Sequence, residues 1–348
     1  MAKGHMSDRV HVGILGAGHW GPHLIRNFYD RENSRVAWVA DRDASRLSEV
    51  RARFPAVQTT ESIEKVLDDD AVDAIVVATP TSTHHRIAKA ALERNKHVLV
   101  EKPISTTVAE GEELKSLADE RARVLMVGHV FVYNAGVQRV KQIIDAGNLG
   151  RIFYISMVRT NLGPIRLDVN AAWDLAAHDI SIVDYWLGSH ALSAIASGGN
   201  WLNPGVEDAV FATLRYPADI LVNLHVSWLN PRKARDITVV GEHHMLTLDD
   251  MNINEPLRIY DKRVAEERTI PAFADTFSSF RASIREGDIT IPKVALGEPL
   301  QAECDHFIEC IRHGKQPITG AAEGIAVVRA LEAIQRSMSD RGREAVAQ

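Results

Sequence analysis

The chain has 348 residues, 45% of them hydrophobic and 25% charged, which is typical of a globular protein long enough for two domains with separate cores. Its net charge of −6, with both signs interspersed, excludes an extended basic face, so we expect no nucleic-acid partner. No apolar run approaches the roughly 20 residues that a membrane-spanning helix needs, so we expect no membrane partner.

The number of cysteines and the first residues of the chain indicate the cellular compartment of the protein. Cys304 and Cys310 are the two cysteines of the chain, too few for a disulfide framework, which fits a reducing environment. Because the start shows no signal-peptide pattern, we expect a cytoplasmic protein. Residues 1–6 (MAKGHM) are typical of an expression tag, with the native start near Met6.

Short continuous apolar runs alternate with helical patterns along the first 130 residues. Such runs are typical of strands buried on both faces of a parallel sheet. The predicted strands are Val10–Leu15, Arg35–Ala40, Ala74–Ala78, His97–Val100 and Val124–Val127. The predicted helices are Trp20–Asp30, Ala44–Arg53, Ile63–Leu67, His84–Arg94 and Val108–Arg121. This alternation predicts a doubly wound α/β domain over residues 7–130.

The pattern changes in the rest of the chain, residues 131–348. We predict helices at Ala135–Ala146, Ala172–Leu187, Leu300–His313 and Ala322–Met338, and a strand at Arg151–Val158. Segments with a period of two follow at Ala209–Tyr216, Ile220–Trp228, Asp236–Val240, His244–Leu248 and Leu257–Tyr260. They predict an α+β domain with an antiparallel sheet that has one covered face. A partner subunit could cover the other face and give a homo-oligomer; the alternative is a solvated face.

A glycine-rich turn follows the first predicted strand directly and precedes a helix. It reads Gly16-Ala17-Gly18-His19-Trp20-Gly21. Gly16 would allow the tight turn, Gly18 the approach of a pyrophosphate, and Gly21 close packing of helix on strand. The N–H groups and dipole at the helix start favour an anion. The sequence therefore predicts a dinucleotide site here, with His19 and Trp20 beside it.

Asp41 follows Gly21 by 20 residues, at the end of the second predicted strand. A carboxylate at this place can accept hydrogen bonds from the ribose hydroxyls of the dinucleotide. It would repel a 2′-phosphate, so we predict NAD rather than NADP as the cofactor. Arg42 is adjacent and could weaken that preference.

Two further motifs follow strand ends that line the ligand crevice of an open parallel sheet. Thr79 and Pro80 follow the strand Ala74–Ala78, so we expect them near the cofactor. His84 opens the next helix and could contact cofactor or substrate, or could have only a packing role.

The segment Glu101-Lys102-Pro103 follows the next strand. We expect Glu101 and Lys102 beside the nicotinamide, where Lys102 could hydrogen-bond a substrate hydroxyl and stabilise negative charge during hydride transfer. The alternative for Lys102 is a surface salt bridge. Pro103 fixes the turn, and its peptide bond could be cis.

Asp174 and His178 are four residues apart on a predicted helix, so they would share one face. A carboxylate beside an imidazole suits acid–base chemistry, because histidine titrates near neutral pH and can take a hydroxyl proton. The alternative is an exposed ion pair. Asp179 points in another direction, and we expect a structural role for it.

Other polar clusters carry weaker signals. The pairs His84-His85 and His243-His244 match no zinc spacing, so we predict no metal site and metal-free hydride transfer. The positive charge of Arg232, Lys233 and Arg235, near a predicted turn, could meet substrate phosphates or a subunit interface.

Taken together, residues 8–338 resemble the glucose-fructose oxidoreductase / inositol dehydrogenase / MocA family. The resemblance is carried by the glycine-rich turn, Thr79-Pro80 with His84, Glu101-Lys102-Pro103, and Asp174 with His178 before Leu187-Gly188. It implies an N-terminal Rossmann domain, a C-terminal α+β domain with a large mostly antiparallel sheet, and homodimers or homotetramers formed through that sheet. It also implies that Lys102 and His178 contact the reacting hydroxyl, one of them as base, and that Asp174 positions substrate or histidine.

A narrower resemblance, to a branch that acts on nucleotide-linked sugars, rests on residues 173–181, 206–209, 227–233, 298–300 and 303–308. It implies an NAD-dependent oxidoreductase for a secondary hydroxyl or ketone of a nucleotide sugar or glycoside, with carbon 3 favoured. A cyclitol dehydrogenase, a keto-sugar reductase and a non-catalytic dinucleotide-binding sensor stay open. The chain departs from the family at Val132, where many members have arginine, at Ala135-Gly136, which lacks the usual prolines, and at Trp173, where many have a small residue.

Overall fold

A computed structural model describes residues 9–163, 165–166, 169–261, 263–264, 284–285, 287–295 and 297–347. The predicted tag, residues 1–6, lies outside the described residues. The chain divides into two compact units. The first unit runs to Tyr133 and includes Glu298–Arg329; the second comprises Asn134–Gly297 and the residues from Ala330 onward. The predicted division after residue 130 differs in one respect, because it assigned residues 298–329 to the second domain.

The first unit contains a six-stranded sheet in which every pairing is parallel. Its strands are β1 (Val10–Leu15), β2 (Ser34–Ala40), β3 (Gln58–Thr60), β4 (Ala74–Val77), β5 (His97–Glu101) and β6 (Leu125–Gly128). Their order is β3-β2-β1-β4-β5-β6, so the winding reverses between β1 and β4. Ligands of doubly wound folds bind beyond the carboxyl ends of the strands at this reversal. The predicted α/β fold is confirmed.

Helices connect these strands, and side-chain caps fix where several of them begin. They are α1 (Gly21–Tyr29), α2 (Ala44–Arg53), α3 (Ile63–Leu67), α4 (His84–Glu93) and α5 (Val108–Glu120). Asp43, Ser62 and Thr107 accept a backbone N–H at the starts of α2, α3 and α5. Such caps end the preceding loop at a defined residue, which is why these helix starts could be read from the sequence.

The second unit contains a nine-stranded sheet packed against helices. The helices are α6 (Ala135–Asp145) and α7 (Ala177–Leu187). The strands are β7 (Ile152–Leu162), β8 (Ser193–Gly199), β9 (Ala209–Arg215), β10 (Leu221–Ser227), β11 (Leu229–Gly241), β12 (Met245–Asp249), β13 (Leu257–Tyr260), β16 (Ile289–Thr290) and β17 (Ala345–Val346), while β14 (Arg263–Val264) and β15 (Ile284–Arg285) pair separately. Their order is β16-β13-β12-β11-β7-β10-β9-β8-β17, antiparallel except for β7 with β10. The predicted mostly antiparallel sheet is confirmed.

Strand β11 is longer than the sequence predicts. It begins at Leu229, and its register against β7 is irregular between Leu229 and Ala234. Pro231 lies within this irregularity, as expected for a residue that cannot donate to a sheet ladder. The prediction that Arg232, Lys233 and Arg235 lie near a turn is therefore wrong, because the proline and the charges hid a strand.

Two further helices precede the last strand. Helix α8 (Pro299–His313) belongs to the first unit, where the Phe307 ring meets Phe28 edge-on at 6.3 Å between centroids. Helix α9 (Ala321–Ser339) contains the division between the units, after Arg329. In the described part of the chain no helix has the length and apolar character needed to cross a membrane.

Candidate active site

The glycine-rich turn has a backbone that larger residues could not adopt. Gly16 has φ +104°, and a Cβ there would lie 2.4 Å from the carbonyl oxygen of Ala78. A Cβ on Gly21 would lie 2.3 Å from the carbonyl oxygen of Gly16. These distances are far below van der Waals contact, so both positions need glycine for the turn to close on β4 and on the start of α1.

Gly18 is different, because its surroundings are open. A Cβ at Gly18 would meet one atom within 4 Å, Nη1 of Arg46 at 3.5 Å. Packing therefore does not demand glycine here, whereas close approach of a ligand to the backbone does. Trp20, at the N-cap of the nine-residue helix α1, makes no side-chain cap hydrogen bond. No side chain of the described residues neutralises the positive end of the helix dipole, which lies directly after the turn, so the turn fits a pyrophosphate.

Asp41, directly after β2, forms a side-chain hydrogen bond to the glycine-rich turn. Its Oδ2 accepts a hydrogen bond from the Ala17 N–H at 2.7 Å, and its Oδ1 accepts one from the Asp43 N–H at 2.9 Å. A carboxylate has about four acceptor positions, so the two that remain suit the hydroxyls of an adenosine ribose. Together the turn and Asp41 fit a dinucleotide.

Arg46 is a residue of this site that the sequence reading missed. Its Nη1 lies 3.6 Å from Asp41 Oδ2, and its Nε lies 3.4 Å from Asp43 Oδ2. The sequence named Arg42 as the neighbouring cation, whereas the structure places the guanidinium of Arg46 against Asp41. Its position in the first turn of α2, which begins beside the glycine-rich turn, was the available signal.

His84 joins the chain segments that follow β4 and β5. It is buried, with Nδ1 2.8 Å from the Pro103 carbonyl oxygen and Nε2 2.9 Å from the Thr79 carbonyl oxygen. Thr79 is held further by a hydroxyl–hydroxyl bond of 2.7 Å to Thr83. The structure thus gives His84 a bridging position, and its contact with a ligand stays a prediction.

The Lys102–Pro103 peptide bond is cis, as the sequence reading allowed. Beside it, burial raises the pKa of the Glu101 carboxyl to about 7, while the charge of Lys102 lowers it. His129, just after β6, is also buried, and burial together with the Lys102 charge lowers its pKa to about 3. Lys102 therefore lies beside a carboxyl whose pKa is raised toward neutral and an imidazole whose pKa is lowered, and perturbed pKa values of this kind are common at functional sites.

Asp174 lies on a π-helical turn, Ala172–Ala176, that leads into α7. The helix predicted over Ala172–Leu187 is present, and its first turn has a wider winding that no single-residue pattern shows; such turns are frequent at functional sites. Asp174 Oδ1 lies 3.2 Å from Arg166 Nη1, and its Oδ2 accepts from the indole N–H of Trp228 at 3.2 Å. Arg166 and Trp228 are therefore further residues of the candidate site.

His178 lies in the first turn of α7 and is half-buried. Its carbonyl oxygen accepts the Ser181 hydroxyl at 2.7 Å. Asp179, predicted to be structural, is buried and pairs with Arg159. Among the described residues, no group of three or more His, Cys, Asp or Glu side chains could hold a metal ion.

The predicted basic cluster on β11 forms ion pairs within the second unit. Arg235 Nη1 lies 2.8 Å from Asp250 Oδ2, and Arg232 Nη2 lies 3.2 Å from Asp236 Oδ2. These carboxylates neutralise much of the charge that an anionic substrate would meet, which weakens the case for a phosphate site there.

Fold and turn define a dinucleotide-binding protein, and comparison with known families identifies its class. Residues 10–129 match the family model described as "Oxidoreductase family, NAD-binding Rossmann fold", and residues 137–247 match the "GFO/IDH/MocA C-terminal domain". The chain belongs to the Gfo/Idh/MocA oxidoreductase family.

Two curated relatives indicate the range of activities. The chain is 24% identical over 326 residues to scyllo-inositol 2-dehydrogenase (NAD(+)) of Bacillus subtilis, covering 90% of this chain and 89% of that enzyme. It is 27% identical over 267 residues to UDP-N-acetylglucosamine 3-dehydrogenase of Acidithiobacillus ferrooxidans, covering 76% and 82%. These two relatives are thus dehydrogenases, one of a cyclitol and one of a nucleotide sugar.

Solved structures establish the same fold. UDP-N-acetylglucosamine 3-dehydrogenase GnnA from Acidithiobacillus ferrooxidans superposes with a TM-score of 0.81 at 24% identity, covering 96% of this chain and 99% of that one. The WlbA dehydrogenase from Bordetella pertussis, in complex with NADH and UDP-GlcNAcA, gives 0.81 at 23% identity, covering 98% of each chain.

Proposed function

We propose that this protein transfers a hydride between NAD and a secondary hydroxyl or ketone of a sugar, with a nucleotide sugar or glycoside as substrate and carbon 3 as the reacting position. The observation that carries the proposal is the dinucleotide-fitting turn in the same chain as Lys102, Asp174 and His178. Relatives that act on UDP-linked sugars support the substrate class.

Asp41 and its partners support NAD over NADP. The carboxylate lies against the Ala17 N–H, where the ribose next to the pyrophosphate would bind. A 2′-phosphate would meet this negative charge, although Arg46 offsets part of it at 3.6 Å. The cofactor set that we propose is Gly16, Gly18, His19, Trp20, Gly21, Asp41, Arg42, Arg46, Thr79, Pro80, His84, Glu101 and Lys102.

The chemical step needs a proton acceptor and a group that stabilises the developing alkoxide. When bound, NAD supplies a nicotinamide ring that accepts the hydride. We assign removal of the hydroxyl proton to His178 and stabilisation of the alkoxide to the Lys102 ammonium, with the reverse assignment as the alternative. Asp174 positions the substrate or His178, and its own carboxylate is held by Arg166 and Trp228.

A cyclitol substrate is the second candidate. The match to scyllo-inositol 2-dehydrogenase covers 90% of this chain, more than the match to UDP-N-acetylglucosamine 3-dehydrogenase does. Both substrates present a ring carbon with a secondary hydroxyl, so the same catalytic residues would serve. The two candidates differ in whether a nucleotide adds to binding.

We also propose that a second copy of the chain covers the outward face of the nine-stranded sheet. Large apolar side chains on four neighbouring strands are 39–52% exposed there: Tyr154, Ile195, Phe211 and Leu221. Their register aligns them on one face, because Leu221 pairs with Tyr154 and His225 with Phe211. Sedimentation of the native protein and of Phe211→Glu tests this, since a dimer or tetramer should dissociate in the variant.

A reducing, cytoplasmic location completes the proposal. Cys304 and Cys310 are free and buried in the first unit, as expected for a protein that forms no disulfide framework. Localisation of a fluorescent fusion tests it directly.

The substrate class is tested by following NADH formation with three groups of substrates: free sugars with cyclitols, sugar phosphates, and nucleotide sugars. Lys102→Met is the matched control, since it removes the ammonium and keeps the side-chain length. Turnover confined to nucleotide sugars and lost in Lys102→Met supports the proposal. Turnover confined to cyclitols favours the second candidate, and the absence of turnover in either direction favours a non-catalytic sensor.

A further inference from the structure

Two residues just before β9, Glu207 and Asp208, take no part in the proposed reaction, yet they contact the chain on both sides of Asp174. The Glu207 carbonyl oxygen accepts the N–H of Ala171 at 2.9 Å, where the chain enters the π-helical turn. The Asp208 carbonyl oxygen accepts the backbone N–H of Trp228 at 3.0 Å. These two residues therefore support the backbone before the turn and the residue whose indole binds the Asp174 carboxylate.

Asn170 joins the Glu207 side chain to the turn that carries Asp174. It is buried, and its Nδ2 donates to Glu207 Oε2 at 2.7 Å and to Gln335 Oε1 at 2.7 Å. Its Oδ1 accepts the N–H of Trp173 at 3.1 Å, and its carbonyl oxygen accepts the N–H of Asp174 at 3.1 Å. The Asn170 side chain is thus a cap at the start of the turn, and its orientation is set by the two acceptors that bind its amide.

Trp228 holds Asp174 from the other side. The indole has no exposed surface, and its N–H lies 3.2 Å from Asp174 Oδ2. Since the backbone of Trp228 is bound by Asp208, the contacts form a closed ring. The ring runs from Asp174 through Asn170, Glu207, Asp208 and Trp228 back to Asp174. It fixes the backbone of Asp174 at one contact and its carboxylate at another.

Strand β8 leaves room for the Glu207 side chain in this ring. A Cβ at Gly198 would lie 2.9 Å from Glu207 Cγ, closer than such atoms normally approach. Glu207 is half-buried there, and its carboxylate lies at a short distance from the Asn170 amide. Hydrogen bonds to an ionised acceptor are shorter and stronger than those between neutral groups. Glu207 is therefore well suited to determine which way the Asn170 amide faces.

We propose that Glu207 is a positioning residue for the reaction, which acts through Asn170 on the turn that carries Asp174. By holding the Asn170 amide it keeps the Asp174 carboxylate within reach of the Trp228 indole. This rests on the role proposed for Asp174. It also gives a function to the motif of residues 206–209, which the proposed reaction does not otherwise use.

The test reverses the direction of the hydrogen bond between Asn170 and Glu207. Asn170→Asp keeps an acceptor for the Trp173 N–H and places two carboxylates against each other. Adding Glu207→Gln restores a donor and an acceptor, because the new amide can donate to the carboxylate at position 170 and Gln335 can turn its own amide group. Glu255→Met, which breaks an exposed ion pair in the same unit, is the control.

The first readout needs neither cofactor nor substrate. It is the indole N–H resonance of Trp228 in a ¹H–¹⁵N spectrum, identified by its loss in Trp228→Phe. We expect this resonance to move in Asn170→Asp, because the Asp174 oxygen that the indole binds is displaced. It should return toward its native position in the double variant and stay unmoved in Glu255→Met. The indole resonance of Trp186, which donates to a backbone carbonyl at 2.9 Å, should stay in place throughout.

Turnover supplies the second readout. Asn170→Asp should lower kcat on the order of tenfold to a hundredfold and leave the KM for NAD within a few-fold of native, because the turn is displaced while the cofactor site is intact. The double variant should recover most of this loss.

An unmoved Trp228 resonance in Asn170→Asp, or a double variant no closer to native than the single one, would overturn the proposal. Where Asn170→Asp does not fold, Glu207→Met takes its place, because it removes the acceptor without adding a charge. A Trp228 resonance that moves in Glu207→Met and not in Glu207→Gln then supports the proposal, and any other pattern overturns it. Absence of turnover in the native protein would contradict the proposed function, while the spectra would still decide this proposal.

Discussion

Arg159 and Asp179 form a buried ion pair in the second unit: the Arg159 Nη2 lies 2.6 Å and its Nε 2.7 Å from Asp179 Oδ1. The residues are 6% and 1% exposed. The pair joins β7 to α7 at the residue after His178. The position of His178 therefore depends on a contact that takes no part in chemistry.

Removing one partner of this pair should be strongly destabilising. We expect Asp179→Leu to lower the free energy of unfolding by about 3–5 kcal/mol, because the Arg159 charge would stay buried without a partner. The double variant Arg159→Met with Asp179→Leu should recover much of this loss. Urea unfolding measures both, and Lys115→Met, which breaks an exposed pair with Asp119, is the control expected to change little. A double variant no more stable than Asp179→Leu would contradict the assignment.

Cofactor selectivity should depend on two opposite charges. Asp41→Asn should weaken NAD and relax discrimination against NADP by about tenfold, since the 2′-phosphate no longer meets a carboxylate and finds Arg46 close by. Adding Arg46→Met to Asp41→Asn should remove the gain for NADP. Calorimetric titration with both cofactors measures this, and unchanged selectivity in Asp41→Asn would exclude Asp41 from the ribose site.

Chemistry and cofactor binding should be separable at Lys102 and His178. Lys102→Met and His178→Asn should each lower turnover on the order of a hundredfold or more and leave NAD affinity within a few-fold of native. Steady-state kinetics with a parallel NAD titration measure the two effects. If turnover survives in either variant, that residue does not contact the reacting hydroxyl.

His129 should make the folded state acid-sensitive. Its pKa is about 3 in the folded protein, against an ordinary value of 6.5, so below about pH 6.5 the unfolded chain binds a proton that the folded protein does not. The difference in proton binding therefore lowers the free energy of unfolding as the pH falls, and has no effect at higher pH. The variant His129→Leu cannot bind this proton, so this pH dependence is absent from it.

The comparison of the two proteins isolates that contribution, because the shifts of other groups are common to both. Relative to native, the free energy of unfolding of His129→Leu should improve by about 1.4 kcal/mol for each pH unit below about 6.5. Urea midpoints measured from about pH 7 to pH 5 give the difference. Native and variant curves that stay parallel over this range would show that His129 is not held neutral by burial.

The fold was predictable where local signals and burial agree. Strand β1 and helices α2 and α3 have the bounds expected from apolar runs and capping residues. The three-residue strand β3 and the Gly-rich end of β8 were not predicted, because neither contains an apolar run or a repeating apolar pattern. The first half of β11 was not predicted as a strand, because it contains a proline and several charged residues.

The candidate site was predictable in its motifs and not in its contacts. The glycine-rich turn and Asp41 could be read from local spacing, and the cis peptide bond at Pro103 was a hypothesis that the structure confirms. The ion pair of Arg46 with Asp41 could not be read, since it joins residues whose proximity exists only after folding. Long-range pairing of polar groups leaves no periodic signal in a single sequence.

The central claim is that a hydride moves from a secondary carbon of a sugar to NAD. We would supply a nucleotide sugar deuterated at carbon 3 and measure the mass of the NADH that forms. We expect NADH that carries one deuterium, with formation slowed by the label and lowered on the order of a hundredfold or more in Lys102→Met. Unlabelled NADH from a sugar that has been oxidised would show that the hydride comes from another carbon, and would contradict the proposed reaction.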